Sequence, residues 1–134
     1  MVIKSRTVIV AAIVSVWLGP QAHPATEWPE CVSGTFSGKI EAAGQKLTSE
    51  TRFLVEDQTV NGTYSFAYKG ETVEGTLSSA RLEKGRSIRF QWQDKFGTGT
   101  LITSFNEDCS EFTGKWGSEG KQPTQSWTGK RQTR

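Results

Sequence analysis

Ser87-Ile88-Arg89-Phe90-Gln91-Trp92-Gln93, then Asp94-Lys95-Phe96-Gly97, then Thr98-Gly99-Thr100-Leu101-Ile102-Thr103-Ser104-Phe105 is the stretch that decides the fold class. In its first part, apolar Ile88, Phe90 and Trp92 alternate with polar side chains, the period of two that places every second residue on one face of a strand. Asp94 to Gly97 is a short turn, and a second alternating run resumes at once, so the pair reads as an antiparallel hairpin. The same alternation recurs from Val32 to the end, and no stretch shows sustained helical spacing. Eight strands are predicted, over 32–40, 46–55, 59–68, 72–80, 87–93, 98–105, 109–116 and 124–131. Connections as short as Lys69-Gly70 and Lys84-Gly85 join each strand to the next, which makes the sheet a meander.

The alternation gathers Phe36, Phe53, Tyr64, Phe66, Tyr68, Phe90, Trp92, Phe105, Phe112, Trp116 and Trp127 on one face, 11 of the 13 aromatic residues beyond position 25. An open sheet with that face would need helices to cover it, and the chain has none to offer. Closure on itself is the remaining solution, an all-β, eight-stranded up-and-down barrel. A barrel of that strand number is just wide enough to be filled by side chains or to hold one small ligand. A weak repeat, Gly34-Thr35-Phe36, Gly62-Thr63-Tyr64, Gly75-Thr76-Leu77, Gly99-Thr100-Leu101 and Gly114-Lys115-Trp116, puts a glycine on the same face two residues before each large side chain. Large rings from neighbouring strands are expected to lie over those gaps. Asn61-Gly62 is read as strand interior rather than as a turn.

Residues 1–25 read as a secretory signal peptide. Lys4 and Arg6 supply the basic start, Thr7 to Gly19 is an apolar run of 13 residues, and Pro20 ends it. The run falls well short of the roughly 20 residues that span a bilayer, so cleavage near Ala22 or Ala25 is expected, and no membrane span in the mature chain. Residues 26–134 are then a single β-barrel domain. Loss of Lys4 and Arg6 leaves 14 basic and 14 acidic side chains, so the basic pI is partly the leader's and a general attraction to nucleic acid is unsupported. Cys31 and Cys109, near the two ends of an exported domain, are expected to form a disulfide closing a loop of roughly 80 residues, a constraint of about 4 to 5 kcal/mol. The sole histidine, His23, lies in the cleavage region, so neither a metal site nor a cofactor is expected.

The Gly34-Thr35-Phe36 opening and the Trp127-Thr128-Gly129-Lys130-Arg131 ending resemble the calycins, the lipocalins, fatty-acid-binding proteins and avidins. The resemblance implies a ligand-binding up-and-down barrel in which a basic side chain of the last strand packs across the ring of a first-strand Gly-x-Trp. Here Phe36 stands in place of that tryptophan, and Arg131, in phase with Trp127, is the basic partner the resemblance implies. Ser33-Gly34-Thr35-Phe36 and Val60-Asn61-Gly62-Thr63-Tyr64 are similar to avidin strands, without the residues that contact biotin. Phe112-Thr113-Gly114-Lys115-Trp116 and the ending together also resemble small exported bacterial proteins of unknown function.

In a meander, Cys31 before the first strand and Cys109 at the seventh lie at the same end, with Trp28 nearby as a plug. Strands one and seven flank the eighth, roughly 10 Å apart, so the N-terminal segment has to reach across. The opposite end, with loops 41–46, 69–71, 94–97 and 117–123, is the expected mouth, and Gly117 to Pro123 reads as a lid. Tyr68, Trp92, Trp116 and Trp127 fall near that end with Phe96 on a loop above, and these five are the ligand-binding candidates for an apolar or planar ligand. The plainer reading is that the rings fill the core. Asn106, Glu107, Asp108 and Glu111 gather oxygens at a turn that reads as solvated rather than as a calcium loop. Asn61-Gly62-Thr63 is a glycosylation sequon.

Two functions follow. One is a periplasmic or secreted barrel, not an enzyme, that binds a small apolar or aromatic ligand. The other is a protein-interaction module of the cell envelope, an inhibitor or assembly factor, with a filled core. Interior space separates them, a cavity above roughly 300 Å³ favouring the ligand. Catalysis lacks a histidine in the domain, a free thiol or a phosphate-cradling loop.

Overall fold

The computed structural model describes residues 27–133, and the leader expected over 1–25, with Ala22 and Ala25, lies outside the described residues. A short 3₁₀ turn at Glu30–Val32 precedes β1 (Gly34–Ala42), β2 (Gln45–Glu56), β3 (Thr59–Tyr68), β4 (Glu71–Glu83), β5 (Ser87–Asp94), β6 (Gly97–Phe105), β7 (Glu111–Ser118) and β8 (Gln125–Arg131). Each strand pairs antiparallel with the next, and β1 pairs with β8 from Phe36↔Arg131 to Ile40↔Trp127, so the sheet closes into the expected eight-stranded up-and-down barrel. Three hairpins turn on two residues of positive φ, Ala43-Gly44, Asp57-Gln58 and Lys69-Gly70. Their twist matches that of the flanking strands. Gly62 lies within β3, paired with Phe53 and Leu77, so Asn61-Gly62 is strand and not turn.

Strand ends differ from expectation where local hydrogen bonds overrule alternation. Val32 belongs to the 3₁₀ turn, its N–H donating to Pro29 O at 2.9 Å. Cys109 sits in the β6–β7 turn at φ +59°, its N–H donating to Asn106 O at 3.0 Å, and β7 starts only at Glu111. β4 runs on to Glu83 because a bulge between Ser78↔Gln91 and Arg81↔Arg89 places Ser79 and Ala80 opposite one residue of β5. Ser79 takes φ +54° there. The extra residue restores the pairing that a plain count of alternation loses.

Nine of the eleven inward aromatics are buried, and Tyr68 and Trp116 are half-buried against the same core. Phe36, Phe53, Phe105 and Phe112 fill one half of the barrel in edge-on and tilted contacts 5.5 to 5.9 Å apart, with Phe90 stacked on Phe53 at 5.5 Å. The end beyond them is plugged. The Cys31–Cys109 disulfide joins the N-terminal turn to the β6–β7 turn with a Cα separation of 5.8 Å. Trp28 rests edge-on to Phe105 at 5.8 Å beneath the Arg86 guanidinium, which lies 4.9 Å from its ring. Arg131 lies 4.7 Å from the Phe36 ring and donates to Ser33 O at 2.7 Å, to Cys109 O at 3.0 Å and to Cys31 O.

The glycine repeat is filled less uniformly than expected. Rings occupy the space at Gly75 (Tyr64) and Gly99 (Trp92), but leucines do so at Gly62 and Gly114, and the Arg131 guanidinium at Gly34. At Gly62, Gly99 and Gly114 the atom nearest an added Cβ is a backbone carbonyl oxygen, of Arg52, Gly117 and Trp127, so what the positions share is the close approach of a neighbour, and the repeat does not select rings.

Candidate ligand-binding site at the barrel mouth

The inward phase of each strand, followed to the end opposite the disulfide, brings Trp92 of β5, Trp116 of β7 and Trp127 of β8 together with Tyr64, Phe66 and Tyr68 of β3. Ile40, Ala42, Ala43 and Leu47 of the β1–β2 hairpin complete the wall, and Phe96 at the β5–β6 turn stands over it. They enclose a cavity of about 150 Å³. It lies below the roughly 300 Å³ that favours a ligand, so volume does not select the ligand reading over the interaction module, and it matches only the size of apolar cavity that takes one benzene-sized ring. The interior is therefore filled at one end and open at the other.

The rings are held by their polar atoms from behind. Trp92 Nε1 donates to Gly117 O at 3.1 Å, Trp116 Nε1 to Glu41 O at 2.9 Å, and Trp127 Nε1 to Thr51 Oγ1 at 3.1 Å. With the indole N–H groups committed, these tryptophans offer the cavity carbon. Edge-on contacts fix their planes: Trp92 to Trp116 at 5.4 Å, Tyr64 to Trp127 at 4.8 Å, and Tyr68 to Phe96 at 5.8 Å. Phe96 itself is 57% exposed, so the mouth is capped by one exposed ring rather than sealed.

One charged side chain lines the cavity, Asp94 at the end of β5. Its Oδ2 accepts from Tyr64 Oη at 2.7 Å and its Oδ1 from the Phe96 N–H at 2.8 Å. Burial, and then the bond to Asp94, pushes the Tyr64 phenol well above the ordinary tyrosine range. The bond is made possible by Gly75. Tyr64 pairs with Gly75, and a Cβ there would collide with the Tyr64 ring, so the phenol crosses the β4 position to reach β5. Tyr64 and Asp94 consequently also border a larger, open, polar groove of about 760 Å³ on the outside of β2 to β5, flanked by Glu50, Arg52, Glu74 and Lys95.

The five sequence candidates, Tyr68, Trp92, Phe96, Trp116 and Trp127, all line the mouth cavity. Phe36 and Arg131 lie at the opposite, plugged end. Residues 117–123 form no lid. β7 extends to Ser118, Lys121 N donates to Ser118 O at 2.9 Å, Thr98 Oγ1 donates to Glu119 at 2.7 Å, and none of the segment lines the cavity. The oxygen-rich β6–β7 turn is spent on itself: Asn106 Oδ1 accepts from Glu111 N at 3.0 Å and Asp108 Oδ1 from Ser110 N at 3.0 Å. Asn61 of the sequon is exposed on β3.

No family model matches this chain and no curated protein matches it.

Reading the residues in order missed Tyr64, Phe66, Ile40 and Leu47 as walls, and above all Asp94. Asp94 was legible as a turn former only, although it is two residues beyond Trp92 and therefore in the same inward phase. Ser49, one inward position below Leu47, is also buried, and its Oγ has no hydrogen-bond partner among the described residues.

Proposed function

We propose that this protein is an exported barrel, not an enzyme, that binds a small apolar or aromatic ligand in its mouth cavity. The observation that carries the reading is the cavity of about 150 Å³ walled by tryptophans whose N–H groups are already bonded to protein. A pocket with no spare indole donor favours apolar surface over polar surface, and its volume favours a single ring or a short alkyl body. Export to the periplasm or the medium draws support from the basic and apolar leader and from the Cys31–Cys109 disulfide. The calycin resemblance supports a ligand function on the same architecture. The non-enzymatic part of the reading rests on a domain without histidine beyond position 23 and without a free thiol.

Titration of tryptophan emission with toluene, indole and short-chain alcohols tests the reading. A saturable change is expected with at least one of them. A flat response to all, up to their solubility limits, contradicts it.

The polar groove outside β2 to β5 favours a second reading, a protein-interaction module of the envelope. In that case wild-type protein captures a partner from envelope extract and an Arg52→Glu, Glu74→Lys variant does not.

A further inference from the structure

Resting on the reading just given, we propose that the mouth cavity selects a cationic ligand, an alkyl- or arylammonium whose apolar body lies among the tryptophan rings and whose ammonium meets Asp94. Among the described residues, every other one lining the cavity is apolar or a tyrosine, and Asp94 brings the one charge at the rim, where the cavity meets the outer polar groove. No basic side chain pairs with that carboxylate among the described residues. Lys95, its neighbour in sequence, instead reaches Glu71 at 3.6 Å.

The carboxylate keeps acceptor capacity. Of the roughly four lone-pair positions on a carboxylate, one on each oxygen is taken, by Tyr64 Oη and by the Phe96 N–H. An ammonium brings three donors and a charge to what is left. The walls act in the same direction, because tryptophan presents the best ring face to a cation. Rings at this rim already take cations from outside: Lys69 Nζ stands 5.2 Å from the Tyr68 ring centre and Lys95 Nζ 5.5 Å from that of Phe96.

An anionic ligand meets the opposite situation. Its carboxylate would face Asp94 at short range, and the donors that could receive it are engaged, the Trp92, Trp116 and Trp127 N–H groups with protein oxygens and the Tyr64 O–H with Asp94 itself. Lys69 and Lys95 are exposed on the outer side of the rim, where water and salt weaken their pull on a group inside. The order expected is therefore cation, then neutral, then anion.

Three probes of one size separate these cases: benzylammonium, benzyl alcohol and benzoate, each titrated against tryptophan emission of the wild-type protein. Benzylammonium is expected to bind at least tenfold more tightly than benzyl alcohol, with benzoate weakest. In Asp94→Asn, which keeps one acceptor oxygen for the two donors Tyr64 Oη and Phe96 N–H and has no charge, the preference for benzylammonium over benzyl alcohol, read as the ratio of their affinities, is expected to fall at least tenfold. If benzyl alcohol or benzoate binds wild type as well as benzylammonium does, the cationic preference is overturned and the apolar site stands. If none of the three binds, and toluene and indole do not either, the mouth site itself fails. The wild-type ranking decides the matter even if the variant does not fold.

Discussion

Replacing Gly75 by alanine tests the feature that ties the barrel wall to the mouth. The new Cβ would strike the Tyr64 phenol and approach Gln93 O at 2.7 Å. Overpacking of this kind costs about 1 to 3 kcal/mol. Displacing the phenol also breaks its bond to Asp94, and a hydrogen bond to a charged group is worth about 1.5 to 3 kcal/mol, the lower figure suiting a half-buried carboxylate that water can reach. The two together predict a loss of about 3 kcal/mol, read as a lower urea midpoint at unchanged slope. A double-mutant cycle separates wall from ring. In a Tyr64→Leu background Gly75→Ala meets only the Gln93 carbonyl and costs about 1 kcal/mol, so the two changes couple by about 2 kcal/mol. A Gly75→Ala cost below about 1 kcal/mol, or additivity to within about 0.5 kcal/mol, refutes the reasoning.

Three further outcomes follow from other parts of the barrel. Replacing Cys31 and Cys109 by serine removes a link across a sequence separation of 78 and lowers unfolding free energy by about 4.5 kcal/mol on the loop-entropy estimate, measured by urea denaturation against the oxidised protein. Arg131→Lys keeps the charge but not the fork that reaches the carbonyls of Ser33, Cys31 and Cys109. About 2 kcal/mol is lost, and Arg131→Met loses more; equal stability of all three would contradict the closure role. Tyr64 is held protonated in the fold, so its folded pKa lies above the unfolded value of about 10. Its contribution is complete below pH ~10 and declines as pH rises from there toward the folded pKa. The urea midpoint of wild type should therefore fall more steeply above pH ~10 than that of Tyr64→Phe, and parallel curves would refute it.

The strands were legible because burial is decided one side chain at a time along them. Ile88, Phe90 and Trp92 alternate in sequence and are all buried on one face. The bulge at Ser79 and Ala80 was not legible, since neither residue advertises a positive φ or an extra position. Cys109 failed for a related reason: Cys109, Glu111 and Thr113 continue a plausible alternation, and only the hydrogen bond to Asn106 O marks a turn. At the mouth the rings could be read from phase alone. Their hydrogen-bond partners could not, because Gly117 O, Glu41 O and Thr51 Oγ1 lie 25, 75 and 76 residues away in sequence. Asp94 shows the limit most clearly. Turn chemistry explains it completely until the closed barrel brings Tyr64 Oη to its carboxylate at the rim of the cavity.

The most direct measurement is the set of indole N–H resonances in a ¹H–¹⁵N spectrum recorded while a benzene-sized ligand is added. Trp92, Trp116 and Trp127 border the mouth cavity, whereas Trp28 packs against Phe105 at the plugged end. A mouth site predicts that the three mouth signals shift together and saturate while that of Trp28 stays in place. Shifts at Trp28 alone, or uniform small shifts at all four, would contradict the site.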